Sequence, residues 1–264
     1  MNWNNGIIRP SADFAAQYLT NPGIPLGGIA YDGLNNKYRF VKFVEATLYP
    51  GKIVRQALTA NVGAVDITNI TGYSTEALPN GPERTYITDN GNLVLSANQL
   101  AGALAFVTGG TGVSALGFVK DHPAYATAAP SAAATAINLV GPIANPVALA
   151  VPDSTSEVSL VLPWNVELTT AATFTECALG VSMRAMTINY FGWILVNGYG
   201  LLCSTAALTA GYAAAAGGAT VDGHALDHAA TANYNIIGRV IRTVADAITT
   251  NTYICLAYIQ AEAA

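Results

Sequence analysis

The feature that most constrains this chain is a long uncharged segment at residues 189–211, with the sequence NYFGWILVNGYGLLCSTAALTAG. Its apolar part is close to the roughly 20 residues that a membrane helix needs. Glycines and Asn197 interrupt it, however. The Asn197-Gly198 pair is typical of a tight β-hairpin turn, because both residues tolerate positive φ angles. We therefore expect two buried β-strands, 187–196 and 199–204, joined at this turn.

The composition predicts an unusually neutral surface. Charged residues make up 10% of the chain and hydrophobic residues 52%, with a mean hydropathy of +0.37, whereas an average soluble protein has about 25% charged residues. Polar surface must then come from Thr, Ser, Asn and Gly, which cost less to desolvate than charges. This favours a protein that buries much of its outside against a partner or against copies of itself. The alternative is a stable β protein that merely has a neutral surface.

Short β-rich runs with turn residues between them predict a mainly β fold with two β-barrel or sandwich-like modules. We expect an extended N-terminal arm at 1–36, a first β module at 37–120, an Ala/Pro-rich connection at 121–150 and a second β-barrel module at 151–264. The arm is dense in Pro and Gly, which forbid a long helix. It either lies across a neighbouring molecule or wraps over its own domain.

Within this frame, individual strands can be predicted. The segment 37–60 indicates a hairpin around Pro50-Gly51, and its alternation slips near Val41, which indicates a bulge. The segments 235–243 and 252–259 are β-branched or alternating and predict strands. We expect the connection at 121–150 to be ordered and packed on protein, because it is too apolar for a solvated tether.

Charge and cysteine content exclude several function classes. The net charge is −5 with a pI of about 5.0, and basic residues are scattered apart from Lys37, Arg39 and Lys42, so we expect no direct nucleic-acid binding. The three cysteines are far apart in apolar runs, which predicts buried free thiols and no disulfide framework. The N-terminal residues lack the pattern of a secretory signal, so we expect synthesis and assembly in a cytoplasm.

The motifs predict no catalytic chemistry. The candidate metal ligands are His224 and His228 in HALDH, but this pattern lacks a third ligand and the glutamate of HExxH. We therefore expect a polar loop here, with no metal and no cofactor. The Gly-rich 109–112 lacks the lysine of a phosphate-binding loop. We expect the chain not to be an enzyme.

Aromatic residues supply the remaining candidates. The chain has thirteen Tyr and three Trp, and both types are enriched in protein interfaces. Trp3 and Tyr18, in the irregular arm, are the predicted interface residues. Tyr38, Tyr253 and Tyr258 are expected to be core or sheet residues.

The last module resembles the decoration (cement) proteins on the heads of tailed bacteriophages. The resemblance lies in the order of YFGWILVNG at 190–198, LTAG at 208–211, IIGRV at 236–240 and the final strand at 252–259. The segment 38–58, with its Pro50-Gly51-Lys52 turn, shows a looser similarity. The resemblance implies a β-barrel protein that binds the outside of assembled heads and holds capsid subunits together, often as a trimer. It implies the major capsid protein and copies of itself as partners.

We therefore expect a virion structural protein of the capsid exterior that does not enter a membrane. One alternative is another virion component, such as a minor capsid, head-fibre base or tail protein. Another is a carbohydrate-binding or adhesive β protein, which exposed aromatics in a groove would support. An enzyme would need facing carboxylates or a metal site.

Overall fold

The computed structural model describes residues 7–8, 14, 16–45, 50–57, 64–67, 72–76, 84–88, 97–109, 115–122, 124, 136–140, 157–169, 178–216, 221–228, 235–243 and 253–261. These residues form strands and turns with almost no helix, which confirms the prediction of a mainly β fold. Within the described ranges, no helix is long and apolar enough to cross a membrane.

The strands follow one another along the whole chain. The first group is β1 (Ile7–Ile8), β2 (Ile29–Tyr31), β3 (Lys37–Phe43) and β4 (Ile53–Gln56). The second group is β5 (Ala64–Ile67), β6 (Gly72–Glu76), β7 (Arg84–Thr88), β8 (Leu104–Gly109), β9 (Ala115–Asp121), β10 (Ala136–Val140) and β11 (Glu157–Val161). The third group is β12 (Asn165–Leu168), β13 (Ala178–Ser182), β14 (Phe191–Ser204), β15 (Ala213–Ala216), β16 (Ala225–Asp227), β17 (Asn235–Thr243) and β18 (Tyr253–Gln260).

The chain forms two compact units whose boundaries differ from the predicted ones. The first unit combines Met1–Ala57 with Trp164–Ala264, and the second is Leu58–Pro163. The predicted first module at 37–120 is therefore divided, because β3 and β4 pair with strands from the last part of the chain. No periodicity within 37–60 could reveal partners more than a hundred residues away.

Most strands of the first unit form two small rings that share β14, and β2 and β1 continue the sheet from β3 outside the rings. The first ring has the order β3-β12-β4-β13-β14, and the pairing of β14 with β3 closes it. The second ring has the order β14-β16-β15-β17-β18, and the pairing of β14 with β18 closes it. Ring closure gives each of these strands a neighbouring strand on both sides, which reduces the length of exposed edge. The second ring lies within the predicted module at 151–264, whereas the first ring takes β3 and β4 from the predicted module at 37–120.

The expected hairpin at Asn197-Gly198 is wrong, because β14 runs straight through it as one strand of 14 residues. Its first half, up to Asn197, pairs with β3, and its second half, from Asn197, pairs with β18. Asn197-Gly198 is the point at which β14 passes from one ring to the other, and the register against β3 shifts there. Gly198 has φ +124°, a conformation that favours glycine.

A buried network fixes this crossing point. The Asp32 carboxylate accepts hydrogen bonds from Asn36 Nδ2 (2.7 Å) and from the Tyr38 hydroxyl (3.0 Å). Asn36 Oδ1 in turn accepts a hydrogen bond from the backbone N–H of Tyr199 (2.9 Å). The network satisfies polar groups that the crossing would otherwise leave unpaired in the interior.

Both faces of the first half of β14 are buried. Trp193 and Leu195 belong to one apolar cluster, which continues into the second ring. Ile194 and Val196 belong to a second cluster inside the first ring. A strand buried on both sides has no position for a charged residue, and this accounts for the uncharged segment in the sequence.

The expected hairpin of 37–60 is also wrong, because β12 lies between β3 and β4. β12 runs parallel to β3 and antiparallel to β4. Arg55 and Glu167 face each other across β4 and β12, and their side chains form an ion pair of 2.8 Å. Beyond the end of β4, the Ala57 N–H donates to the Asn165 carbonyl over 2.7 Å.

The described part of the N-terminal arm wraps over its own unit. The Phe14 ring stacks on Tyr38 with 3.9 Å between ring centroids, and the backbones of Tyr18 and Phe191 exchange two hydrogen bonds. In this part, the arm follows the interpretation in which it wraps over its own domain. Residues 1–6, 9–13 and 15 lie outside the described residues.

The second unit is a sheet with the order β5-β11-β8-β9-β10-β7-β6. β10 falls within the predicted connection at 121–150, yet it pairs with both β9 and β7. That part of the segment is therefore an inner strand and not a connection; residues 123, 125–135 and 141–150 lie outside the described ones. His122 is buried, and its Nε2 accepts from the Leu100 N–H (3.0 Å).

Gly198→Ala should destabilise the protein by about 3 kcal/mol or more, through strain at positive φ and a steric clash. The added Cβ would overlap the Asn36 side chain and lie 2.9 Å from Asn36 Cα. Urea unfolding monitored by tryptophan fluorescence measures the change. Gly33→Ala is the matched control, since its Cβ would meet nothing within 4 Å. Equal stability of the two variants would contradict this account of the crossing.

Candidate functional site

The outer side of the second ring carries a continuous surface of large apolar and cationic side chains. It is built by three neighbouring strands, and we call it the β14–β18–β17 face. Its exposed residues are Tyr199, Leu201, Ile236, Arg239, Ile241, Arg242, Leu256, Tyr258 and Gln260. The described parts of these three strands contain no Asp or Glu. Apolar patches of this kind on a soluble protein mark interaction sites.

Strand alternation produces this face. Along β18, Cys255, Ala257 and Ile259 point into the ring and are buried, while the residues between them are exposed. The small side chains of Cys255 and Ala257 leave room for the ring to close. The large outward side chains do not pack into the ring and stay exposed; Tyr199, for example, is 56% exposed.

The exposed residues form rows across the three strands, with β18 in the middle. Tyr258 pairs with Tyr199 on one side and with Arg239 on the other. Leu256 pairs with Leu201 and Arg242 in the same way. Each row therefore has an aromatic or aliphatic residue on β14 and an arginine on β17.

Local contacts hold the aromatic residues of the face in place. The Tyr199 and Tyr258 rings meet edge to face, with 5.2 Å between centroids. The Tyr258 hydroxyl donates to Asn197 Oδ1 over 3.0 Å. The Tyr199 N–H donates to Asn36, so the buried Asp32 network also positions this row.

A shallow depression of about 820 Å³ crosses the face. On the β17 side it is bordered by Ile236, Gly238 and Arg239, and on the other side by both tyrosines of the row. Gly238 allows β17 and β18 to approach closely beside the depression, because an added Cβ would overlap the Tyr258 carbonyl oxygen.

Of the two predicted interface residues, Tyr18 does not lie on this face. Trp3 lies outside the described residues. Tyr18 is half-buried, and its ring contacts Phe40 with 6.2 Å between centroids. It packs on the core of its own unit, and its role in an interface stays a prediction.

The predicted metal-ligand candidates are separated by a strand. His224 precedes β16 and is buried, whereas His228 follows β16 and is half-buried. The interpretation of this stretch as a polar surface loop is thus wrong for 225–227 and for His224. In the ranges that the structure describes, no three His, Cys, Asp or Glu residues come together as a metal site.

Sequence analysis did not anticipate a buried group of ionisable side chains at the shared end of the rings. Lys52 Nζ donates to the Asp222 carbonyl over 2.7 Å, and Cys203 Sγ donates to the Pro50 carbonyl over 3.0 Å. His224 is 3% exposed, and its Nδ1 has no hydrogen-bond partner among the described residues.

Burial controls the protonation of this group. It lowers the pKa of Lys52. It also lowers the pKa of His224 to about 4, with help from the Lys52 charge. Burial raises the pKa of the Cys203 thiol despite the opposing effect of Lys52. A neutral thiol is a poor nucleophile, and these buried side chains are inaccessible to a substrate while the rings are closed.

Burial acts on the Cys255 thiol in the same way as on Cys203. Burial raises the pKa of Cys255 to about 11, and the charges of Cys203 and Asp227 add to the effect. Cys203 and Cys255 are buried free thiols, as predicted. Cys177 lies outside the described residues.

In contrast to His224 and the buried thiols, Asp32 has a pKa that is shifted toward its charged form. Burial alone would raise the pKa of Asp32, but the hydrogen bonds from Asn36, Leu34 and Tyr38 outweigh it and lower the pKa. Burial and the hydrogen bond to Asp32 raise the pKa of the Tyr38 hydroxyl. Asp32 is therefore a carboxylate at neutral pH with its acceptor positions occupied, which suits a structural anchor.

Comparison with known proteins gave no relatives: no family model matches the chain, and neither a curated protein nor a solved structure matches it significantly.

His224 should make stability depend on pH in mildly acidic solution. Its pKa is about 4 in the fold against 6.5 for a free histidine, so between these values the unfolded chain binds the proton and the folded chain does not. The free energy of unfolding should fall by up to about 3 kcal/mol as the pH drops from 6.5 to 4. Denaturant unfolding at a series of pH values measures this.

His224→Gln should remove this part of the pH dependence, while the matched variant His228→Gln should retain it. The contribution of Asp32 is lost at lower pH, below its unfolded value of 3.8. An unchanged slope between pH 6.5 and 4 in the His224 variant would show that another group is responsible.

Proposed function

We propose that this chain is a virion structural protein, specifically a capsid decoration (cement) protein that binds and stabilises the assembled head. The observation that carries the proposal is the β14–β18–β17 face. Tyr and Arg dominate the energetics of protein interfaces, and the aliphatic residues around them supply area that is favourable to bury. The face therefore has the composition of a surface that another protein covers.

The composition of the chain supports the same role. Charged residues make up 10% of the chain, so large parts of its outside can be desolvated without burying charges. On a shell, many copies bind side by side, and repeated weak contacts then give high overall affinity.

The two rings also suit a mechanical function. In the first unit, β14 is hydrogen-bonded to neighbours on both edges, and pulling it out would require breaking both rings. Closed rings also avoid the exposed strand edges that promote unwanted association. We propose a location on the capsid exterior after synthesis in the host cytoplasm, with the major capsid protein and copies of itself as partners.

The same proposal includes no enzyme activity, no cofactor and no contact with nucleic acid or membrane. Another virion part, such as a minor capsid, head-fibre base or tail protein, would use the face in the same way. Only the particle that binds the chain distinguishes these roles.

A carbohydrate-binding protein is the second candidate, because Tyr199, Tyr258, Arg239 and Gln260 border the depression. Aromatic rings stack on sugars, and the polar side chains would bind hydroxyl groups. The exposed Leu201 and Ile241, with the other aliphatic residues of the face, would remain uncovered by a sugar. The whole face therefore favours a protein partner.

The purified chain should sediment with empty heads of the phage that carries its gene, in a saturable way, and should raise the temperature at which the heads lose their integrity. Arg239→Glu should weaken binding, because it changes the charge of the face. Leu19→Ser, at an apolar residue that is 66% exposed outside the face, is the control and should bind like the unaltered chain.

Absence of binding to intact heads would overturn the decoration role. Binding to isolated tails instead would assign the chain to the tail. Binding to a glycan array that is lost in Tyr258→Ala would support the carbohydrate-binding alternative.

A further inference from the structure

We infer that a second copy of this chain covers the β14–β18–β17 face, and that the two copies are related by a two-fold axis running along β18. The inference shares with the proposed function the premise that a protein covers this face, but it gives the face to a second copy, so that a shell would be bound by other surfaces of the dimer. It rests on the order of residues across three strands.

The argument begins with the position of β18. It is the middle strand of the face and has β14 on one side and β17 on the other. Because β18 has a neighbouring strand on each side, a contact that uses the whole face is centred on β18. Tyr258 and Leu256, the outward residues of β18, therefore lie at the centre of the contact.

A two-fold axis in the contact plane, parallel to β18, exchanges the two sides of the face and keeps the rows in register. Tyr258 then meets Tyr258 of the other copy. Tyr199 of each copy meets Arg239 of the other, because these residues flank Tyr258 on opposite sides. In the next row, Leu256 meets its own equivalent and Leu201 meets Arg242.

This arrangement gives each arginine a suitable neighbour. The described parts of the three strands contain no carboxylate, so copies of this face cannot form ion pairs across the contact. A guanidinium group can instead stack on a tyrosine ring, and the two-fold arrangement places Arg239 opposite Tyr199 twice. The aliphatic stem of Arg242 can cover Leu201. In no row does an arginine face another arginine.

The depression provides matching shape. It lies between Ile236 and Arg239 of β17 on one side and Tyr199 and Tyr258 on the other, and Tyr199 is 56% exposed. The two-fold axis brings the projecting tyrosine of one copy to the depression of the other. Such self-complementarity is what an isologous contact requires.

The self-matching face favours a dimer over the trimer that the resemblance to decoration proteins implies. A trimer needs two different surfaces, one on each side of every subunit. The β14–β18–β17 face matches itself row by row, and therefore favours a dimer. A dimer on a capsid would bind two neighbouring shell subunits and hold them together.

Sedimentation equilibrium of the purified full chain over a wide concentration range tests the inference. We expect a monomer–dimer equilibrium that reaches twice the 27.2 kDa of the chain. Tyr199→Arg should weaken the dimer by about tenfold or more, because it places arginines opposite each other. Leu19→Ser, outside the face, should dimerise like the unaltered chain.

The reciprocal exchange tests the pairing itself. In the double variant Tyr199→Arg/Arg239→Tyr, each arginine again faces a tyrosine, so dimerisation should recover relative to Tyr199→Arg alone. Both positions are exposed, and circular dichroism will verify that the variants fold. The control is Tyr199→Arg/Arg242→Tyr, which restores the charge of the face but leaves an arginine opposite Arg239; it should not recover, and equal recovery would attribute the effect to charge alone.

Three results would overturn the inference: a monomer at all concentrations, a trimer, or a dimer that is indifferent to Tyr199→Arg. A monomer whose face variants lose head binding would assign the face to the shell and leave the proposed function standing. A dimer that binds no heads would sustain the inference and overturn the decoration role.

Discussion

The fold of the first unit depends on one strand that serves two rings. The first half of β14 pairs with β3 and β13, and its second half pairs with β18. Its side chains also enter two apolar clusters. A strand in this position must be long, apolar and free of charge, and it must contain a residue that permits the change of partner. Gly198, held beside Asn36, meets the last condition.

Because β14 takes its partners from distant parts of the chain, some parts of the fold could be predicted from the sequence and others could not. The segments 235–243 and 252–259 were predicted as strands and form β17 and β18, because each shows its β character locally. The Asn197-Gly198 pair led to the wrong prediction of a hairpin. A glycine with positive φ between apolar residues is expected both in a tight turn and at a point where a strand changes partners. Likewise, consecutive apolar residues near Val41 predicted a bulge, but Phe40 and Val41 face two different apolar clusters, and the pairing with β14 is regular there.

The candidate surface was harder to predict for a related reason. Both sets of alternate residues in β18 are largely apolar, so the sequence does not indicate which set faces outward. Tyr258 was expected in the core or sheet, and it lies in the sheet but faces out. The size difference between Ala257 and its neighbours was the available signal, because small residues suit the inside of a narrow ring. The arm residue Tyr18 was chosen for its irregular surroundings, yet tertiary contacts place it on the core.

The hydrogen bond from Ala57 to Asn165 has a further consequence. The chain leaves the first unit after β4 and returns at β12, and these two strands are antiparallel neighbours. In connectivity, all of Leu58–Pro163 occupies the place of a hairpin loop. Insertions at such a site add only slowly to the entropy of loop closure. The second unit is therefore an insertion between two paired strands, and changes in its length should leave the pairing of β4 with β12 unaltered.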